Sequence, residues 1–344
     1  MNNTYTSAWI ETEAELRELI KAPHPRIEMK ILQRLEPQSI RLVAWARLVC
    51  FAVHGEGFAV VASVQDSPCQ VLNEEEILVN SPDLLEQLPA QPGTYPVGGL
   101  FVVPGMGETL RLNGMLSVSV SGERKIQVRK VFMQCPKAFI RSKLWEPAHW
   151  QADEPSGYQD LSSSCLNEET KAFVEKAPFA FLGTENLSNE ADSSPRGDPE
   201  GKFVRVLDES TLLLPDRTGN RLVDSLRNIL SIPRATLAFL IPGVERVLVI
   251  SGQAKLTDDK DLLADSAVRN KVPKVGVLLS VEYLAFRSLE QGFWCPEQLR
   301  DAKDLPDMSE ILLDQIKPGK KWYKRPLAKL FTAFANYENK KNLY

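Results

Sequence analysis

The chain contains its own pattern twice. Phe101-Val102-Val103-Pro104-Gly105 returns as Phe239-Leu240-Ile241-Pro242-Gly243, 138 residues later, and Gly114 and Gly252 keep the same separation. Ahead of each Pro-Gly turn stand a short apolar run (Ile77-Leu78-Val79; Leu212-Leu213-Leu214) and a leucine-rich segment at helical spacing. Strand, helix, strand, Pro-Gly turn, strand and glycine in one order, twice, predict two copies of a single folding unit. A length of 344 residues accommodates two domains. Strand-length apolar runs bounded by turn residues recur at Cys50–Val53, Phe58–Val64, Leu100–Val103, Ile126–Met133, Phe179–Gly183, Thr236–Ile241, Val247–Ile250 and Val275–Phe286. They predict a mainly β chain with flanking helices, an α+β architecture.

The expected organisation is a first copy over residues 1–150 with a helical N-terminal segment, a Pro/Ser/Asp/Gln-rich linker over 151–167, a second copy over 168–300, and a tail over 301–344. Thr12-Glu13-Ala14-Glu15 has the form of a capping box, and Leu16, Leu19 and Ile20 continue it as an amphipathic helix. In the tail, a helix is expected over 309–316. A basic stretch beginning at Lys317 then leads into the apolar stripe Leu327, Leu330, Phe331, Phe334 and Tyr337.

Bulk properties narrow the function classes. A net charge of −4 gives no global attraction to nucleic acid. No apolar run has the length of a membrane span, and the acidic N-terminus has no signal-peptide core, so a cytoplasmic protein is expected. Five cysteines without a CxxC, and only His24, His54 and His149, argue against a disulfide framework or a zinc site.

The stretch Ser194–Leu230 is dense in chemistry. Ala191–Gly201 reads as a polar loop, Phe203–Leu207 and Thr211–Leu214 as a hairpin, and Leu222, Leu226, Ile229 and Leu230 as a helix. Backbone N–H groups at a helix start, with Arg217, Arg221 and Arg227 nearby, suit a phosphate. By spacing alone, solvated arginines on a plain hairpin and helix fit as well.

The letters go further. PRGD (195–198), PDRTGN (215–220), SLRN (225–228) and the Ile-Pro-Gly turn at 241–243 resemble the FMN-binding split-barrel family related to pyridoxamine 5′-phosphate oxidase. The resemblance implies two tandem split β-barrels packed as an intrachain pseudo-dimer, with FMN in the groove between them. The copies have diverged in complementary ways. The first keeps CPKAFIRSKLW (135–145), Arg111 and Asn113 but has nothing like PRGD or PDRxGN; the second has the reverse. This pattern implies one composite FMN site per chain and one vestigial site. Its candidate residues are Arg196, Arg217, Asn220, Arg221, Ser225, Arg227 and Asn228 from the second copy, with Lys137, Arg141, Ser142 and Trp145 from the first. Trp145 can cover the flavin edge or simply anchor the interface; Arg111 reads equally as a salt-bridged strand residue. A phosphate of about two negative charges gains roughly 1.5–3 kcal/mol from each charge-assisted donor.

The implied function is an FMN-dependent oxidoreductase acting on a small molecule, with a nicotinamide electron donor as a candidate partner and a further homodimer left open. The alternatives are a non-catalytic flavin-binding or regulatory module, and haem or deazaflavin in the same groove. The scarcity of histidine weighs against haem. The closing RxH-type motif of the oxidase proper is absent, so activity on pyridoxamine phosphate is not expected.

Overall fold

The structure is a computed structural model that describes residues 8–23, 31–55, 57–151, 163–217, 219, 221–301, 303–305 and 343. The expected tail helix and stripe, and Asn220, lie outside the described residues.

An N-terminal strand β1 (Trp9–Ile10) and helix α1 (Glu13–Leu19) come first. The first copy then runs α2 (Pro37–Trp45), β2 (Leu48–Val53), β3 (Gly57–Ala62), β4 (Cys69–Asn73), β5 (Glu76–Val79), α3 (Pro82–Gln87), β6 (Gly93–Val102), β7 (Leu110–Val118), β8 (Arg124–Met133) and α4 (Lys137–Ser142). The second runs α5 (Glu168–Lys176), β9 (Phe179–Asn186), β10 (Glu190–Gly197), β11 (Arg205–Val206), β12 (Thr211–Pro215), α6 (Asp224–Ser231), β13 (Arg234–Leu240), β14 (Arg246–Thr257), α7 (Lys260–Ala264) and β15 (Gly276–Ser288).

Two antiparallel sheets result, with strand orders β3-β2-β6-β7-β8-β5-β4 and β10-β9-β13-β14-β15-β12-β11. The second order is the first advanced by seven strands, so the duplication read in the sequence is a duplication of topology. The registers agree too. Leu48 pairs with Val102 as Phe179 pairs with Leu240, and each sheet has an irregularity before the repeated glycine, at Asn113/Gly114 and Ser251/Gly252. A Cβ at either glycine would overlap a carbonyl of the neighbouring strand, Gln127 O or Ser280 O, which is why both copies keep glycine there.

Strand alternation sorts most buried side chains into three large cores, beside a small cluster of Leu213, Leu263 and Leu278. Val49, Phe51, Phe101 and Leu112 fill the first barrel, and Ala180, Leu182, Phe239 and Ile250 the second. The opposite faces of the same strands supply a third core between the barrels: Leu48, Cys50, Leu100 and Val102 against Phe179, Phe181, Ala238 and Leu240. Strands buried on both faces read as unbroken apolar runs, which is how β2 and β9 appear in the sequence.

The barrels face each other about a pseudo-two-fold axis: β10 lies on β6 and β7, and its counterpart β3 lies on the counterparts β13 and β14. Two tryptophans mark the symmetry. Trp145 Nε1 donates to the Met106 carbonyl and Trp294 Nε1 to the Val244 carbonyl, each at 2.8 Å, and their rings lie 5.7 Å apart. Met106 and Val244 are themselves 138 residues apart.

Two expectations change. Residues 191–197, part of the stretch 191–201 read as a polar loop, belong to strand β10, which pairs along its length with β9. Polar residues were mistaken for loop because this strand lines a site rather than a core. The N-terminal segment, grouped with the first copy, packs on the second barrel. There β1 pairs with β14, and Ile10 and Leu16 enter the second core. The capping box itself forms, with Glu15 N donating to Thr12 Oγ1 at 3.3 Å and Thr12 N to Glu15 Oε2 at 3.1 Å.

Candidate functional site

A cavity of about 600 Å³ opens between the copies. The first copy contributes Arg111 from β7 and Gln134, Cys135, Lys137 and Arg141 from the end of β8 and α4. The second contributes Ser194 and Arg196 from β10 and the loop from Asp216 to α6. Residues 271–275 ahead of β15, and 19–21 at the end of α1, complete the wall. Among the described residues, nine basic side chains and two carboxylates line it. Its volume falls in the range of small-molecule pockets.

The loop into α6 is held in a strained form. Arg221 (φ 63°) and Val223 (φ 54°) both adopt the left-handed region, which costs a β-branched residue most. Arg17, from α1, donates to the carbonyls of Arg221 (3.0 Å) and Leu222 (3.3 Å). Docking of the N-terminal segment on the second barrel therefore fixes the lip of the cavity.

Of the expected site residues, six line the cavity together: Arg196, Arg217, Arg221, Ser225, Lys137 and Arg141. Four stand outside its lining. Trp145 packs in the aromatic cluster between the barrels, stacked 6.3 Å from Phe139. Ser142 donates to the Phe139 carbonyl at 3.2 Å. Asn228 bridges to Thr184 and Asn186 at 3.1 and 3.0 Å, and Arg227 pairs on the surface with Asp224 at 2.6 Å.

The sequence reading missed the carboxylates that partner the arginines. Arg196 Nη1 meets Asp216 Oδ1 at 2.9 Å. Asp198, 1% exposed, is shared by Arg217 and by Arg141 at 3.3 Å. Arg111 pairs with Asp192 and, at 3.0 Å, with Asp224. Burial pushes the Asp192, Asp198 and Asp216 carboxyls up, against the pull of these arginines. Burial also works to raise Asp224, but Arg111 and Arg227 hold it below the usual aspartate value. A period-two signal was present, since Asp192, Ser194 and Arg196 alternate along one strand face. Their partners are far away in sequence and left no trace.

Among the described residues, the positions across the pseudo-two-fold carry none of these pairs. Register places Gly57, Ala59 and Val61 of β3 where β10 has Asp192, Ser194 and Arg196. Val249 and Ser251 stand where the first copy has Arg111 and Asn113. Only Asn80 and Ser81 join β5 to α3, whereas residues 216–223 join β12 to α6.

Residues 166–288 match the family model described as Pyridoxamine 5′-phosphate oxidase. The second copy is a pyridoxamine 5′-phosphate oxidase-related split barrel. The matched span holds the β10 and α6 side of the cavity. Solved structures that resemble the chain include HupZ of Group A Streptococcus (17% identity, 35% of this chain and 91% of that one, TM-score 0.30). Another is HutZ, the heme storage protein of Vibrio cholerae (12%, 36% and 94%, TM-score 0.24). A third is a pyridoxamine 5′-phosphate oxidase-related, FMN-binding protein of Nostoc punctiforme (12%, 32% and 74%, TM-score 0.24). Likeness at this level does not discriminate one ligand from another. No curated protein matches the sequence.

Among the described residues, no helix is long and apolar enough to cross a membrane, and no group of three or more His, Cys, Asp or Glu is placed to hold a metal.

Proposed function

We propose that this chain binds one FMN in the cavity between its barrels and acts as an FMN-dependent oxidoreductase on a small molecule. The observation that carries the reading is the asymmetry of the two grooves. The cavity, its basic lining and the family-matched loop coincide in one groove, and apolar residues replace them in the other. The residues present fit the cofactor. Arg196 Nε is a buried donor without a hydrogen-bond partner among the described residues, placed on a strand that lines the cavity. Arg196, Arg221 and the start of α6 would hold the phosphate, and Leu222, Val272 and Pro273 offer an apolar wall for the ring. Bound FMN supplies the redox chemistry; the chain binds it, orients it and keeps water from its ring. Haem suits the lining less well. Among the described lining residues Cys135 alone is of a type that takes a haem iron, and burial raises its thiol.

The test is absorbance of the purified protein in the flavin range, mass spectrometry of the released molecule, and titration of the stripped protein. One FMN per chain is expected. Two equivalents, or a released haem or deazaflavin, would refute the reading.

A further inference from the structure

In the cavity wall lies a relay that crosses from one copy to the other. Arg111, 3% exposed, reaches from β7 to Asp192 on β10 and to Asp224 at the first turn of α6. Asn113 supports it, accepting from Arg111 Nε at 3.4 Å and donating to the Ala191 carbonyl at 3.0 Å. Asp192 Oδ2 in turn accepts from Ser194 Oγ at 2.9 Å and from Ser225 Oγ at 2.8 Å, and the two hydroxyls are 2.9 Å apart. Both serines line the cavity; Asp192 does not.

A serine hydroxyl has one proton and two lone pairs. When Asp192 is ionised, the state its contact to Arg111 favours, Ser194 and Ser225 can both donate to it and keep lone pairs for a donor in the cavity. Lone pairs repel a phosphate and accept from a donor. Among the described residues nothing equivalent stands across the pseudo-two-fold, where Gly57, Ala59 and Val249 occupy the positions of Asp192, Ser194 and Arg111. A cross-link needed merely to join the barrels would be useful on both sides.

We propose that Ser194 and Ser225 form a hydrogen-bond-accepting subsite for the neutral, O–H- or N–H-bearing part of the ligand, and that Arg111 is the positioning residue that sets this polarity through Asp192. Resting on the FMN reading, this places the phosphate on the arginines and the neutral part of the flavin, common to FMN and riboflavin, at the serines.

The test titrates the full-length protein with FMN and with riboflavin. Ser194→Ala and Ser225→Ala should each weaken both ligands by the same factor, roughly five- to a hundredfold for a donor left unpaired in a buried site. Loss confined to FMN would make the serines phosphate donors and overturn the proposal, as would no loss for either ligand. Arg111→Gln should let Asp192 take a proton and free a serine to donate. Both flavins should then weaken several-fold by a similar factor, with Arg111→Lys restoring the affinity. Unchanged affinity for both flavins overturns the positioning role, and a loss confined to FMN would place Arg111 on the phosphate instead. If Arg111→Gln does not fold, the two serine variants, checked by thermal melting, decide the matter. Failure of the unaltered protein to bind either flavin would instead sink the FMN reading itself.

Discussion

The two grooves share a topology, a register and a pair of equivalent tryptophans, yet differ in almost every residue that could meet a ligand. On the β3 side Gly57, Ala59 and Val61 stand where β10 has Asp192, Ser194 and Arg196, and Ala59 and Val61 pack into the first core. The difference shows what each requires. Joining two barrels needs only apolar contact, and burying a polar group without a partner costs about 1–3 kcal/mol. A duplicated chain that binds at one groove is free to let the other revert to plain packing. On the β10 side the arginines are kept in place by aspartates, so an anion entering the cavity would meet donors that are already oriented.

The comparison can be broken most severely by separating the copies. Residues 160–344 keep the family-matched loop but lose Arg111, Lys137 and Arg141, and also Ile10, Leu16 and Arg17 of the N-terminal segment. FMN affinity should fall by roughly two decades or more, since at least two charge-assisted contacts of about 1.5–3 kcal/mol disappear together. Equal affinity of fragment and whole chain, by calorimetry, would end the composite-site argument.

Next in size is the tryptophan pair. Trp145→Ala and Trp294→Ala should each cost about 3–5 kcal/mol of stability and to a similar extent, because they occupy equivalent places. Denaturant melts measure this. A large loss for Trp145 alone, with a changed flavin spectrum, would return Trp145 to the flavin edge.

Arg221→Ala should weaken FMN by about one to two decades and leave riboflavin nearly unchanged, for the loss of one charged donor worth roughly 1.5–3 kcal/mol. In the other groove, Ser81→Ala should change neither ligand. An equal loss of both ligands in Arg221→Ala would show that it acts on the loop rather than on the phosphate.

The smallest effect is on acid stability. Asp224 is held below its ordinary value of 3.8, so its contribution is present above that value and is lost as pH falls through the lower, folded one. The stability gap between the unaltered chain and Asp224→Asn should therefore shrink below about pH 4. The raised Asp192, Asp198 and Asp216 act with opposite sign, their protonation on acidification favouring the folded state. A gap that widens on acidification would contradict the Arg111–Asp224 pairing.

Much of the fold was legible because its signals are local. A Pro-Gly turn, a glycine where a neighbouring carbonyl leaves no room for Cβ, and apolar runs buried on two faces leave marks that survive duplication. The resemblance carried by PRGD and PDRTGN likewise marked the side of the chain where the cavity lies. Strand β10 was hidden because its inward face is polar, which contradicts the hydrophobic pattern by which strands are recognised.

What the sequence determined by itself was the duplication, the mainly β character of each copy and the stretch that carries the binding loop. Tertiary structure alone decided that the N-terminal segment docks on the second barrel, that Trp145 has a twin in Trp294, and that Arg111 meets Asp192 and Asp224. The reason is physical. Turns and strand faces follow from neighbouring residues. An ion pair between strands of different barrels depends on how two whole sheets pack, and no spacing within the chain encodes that.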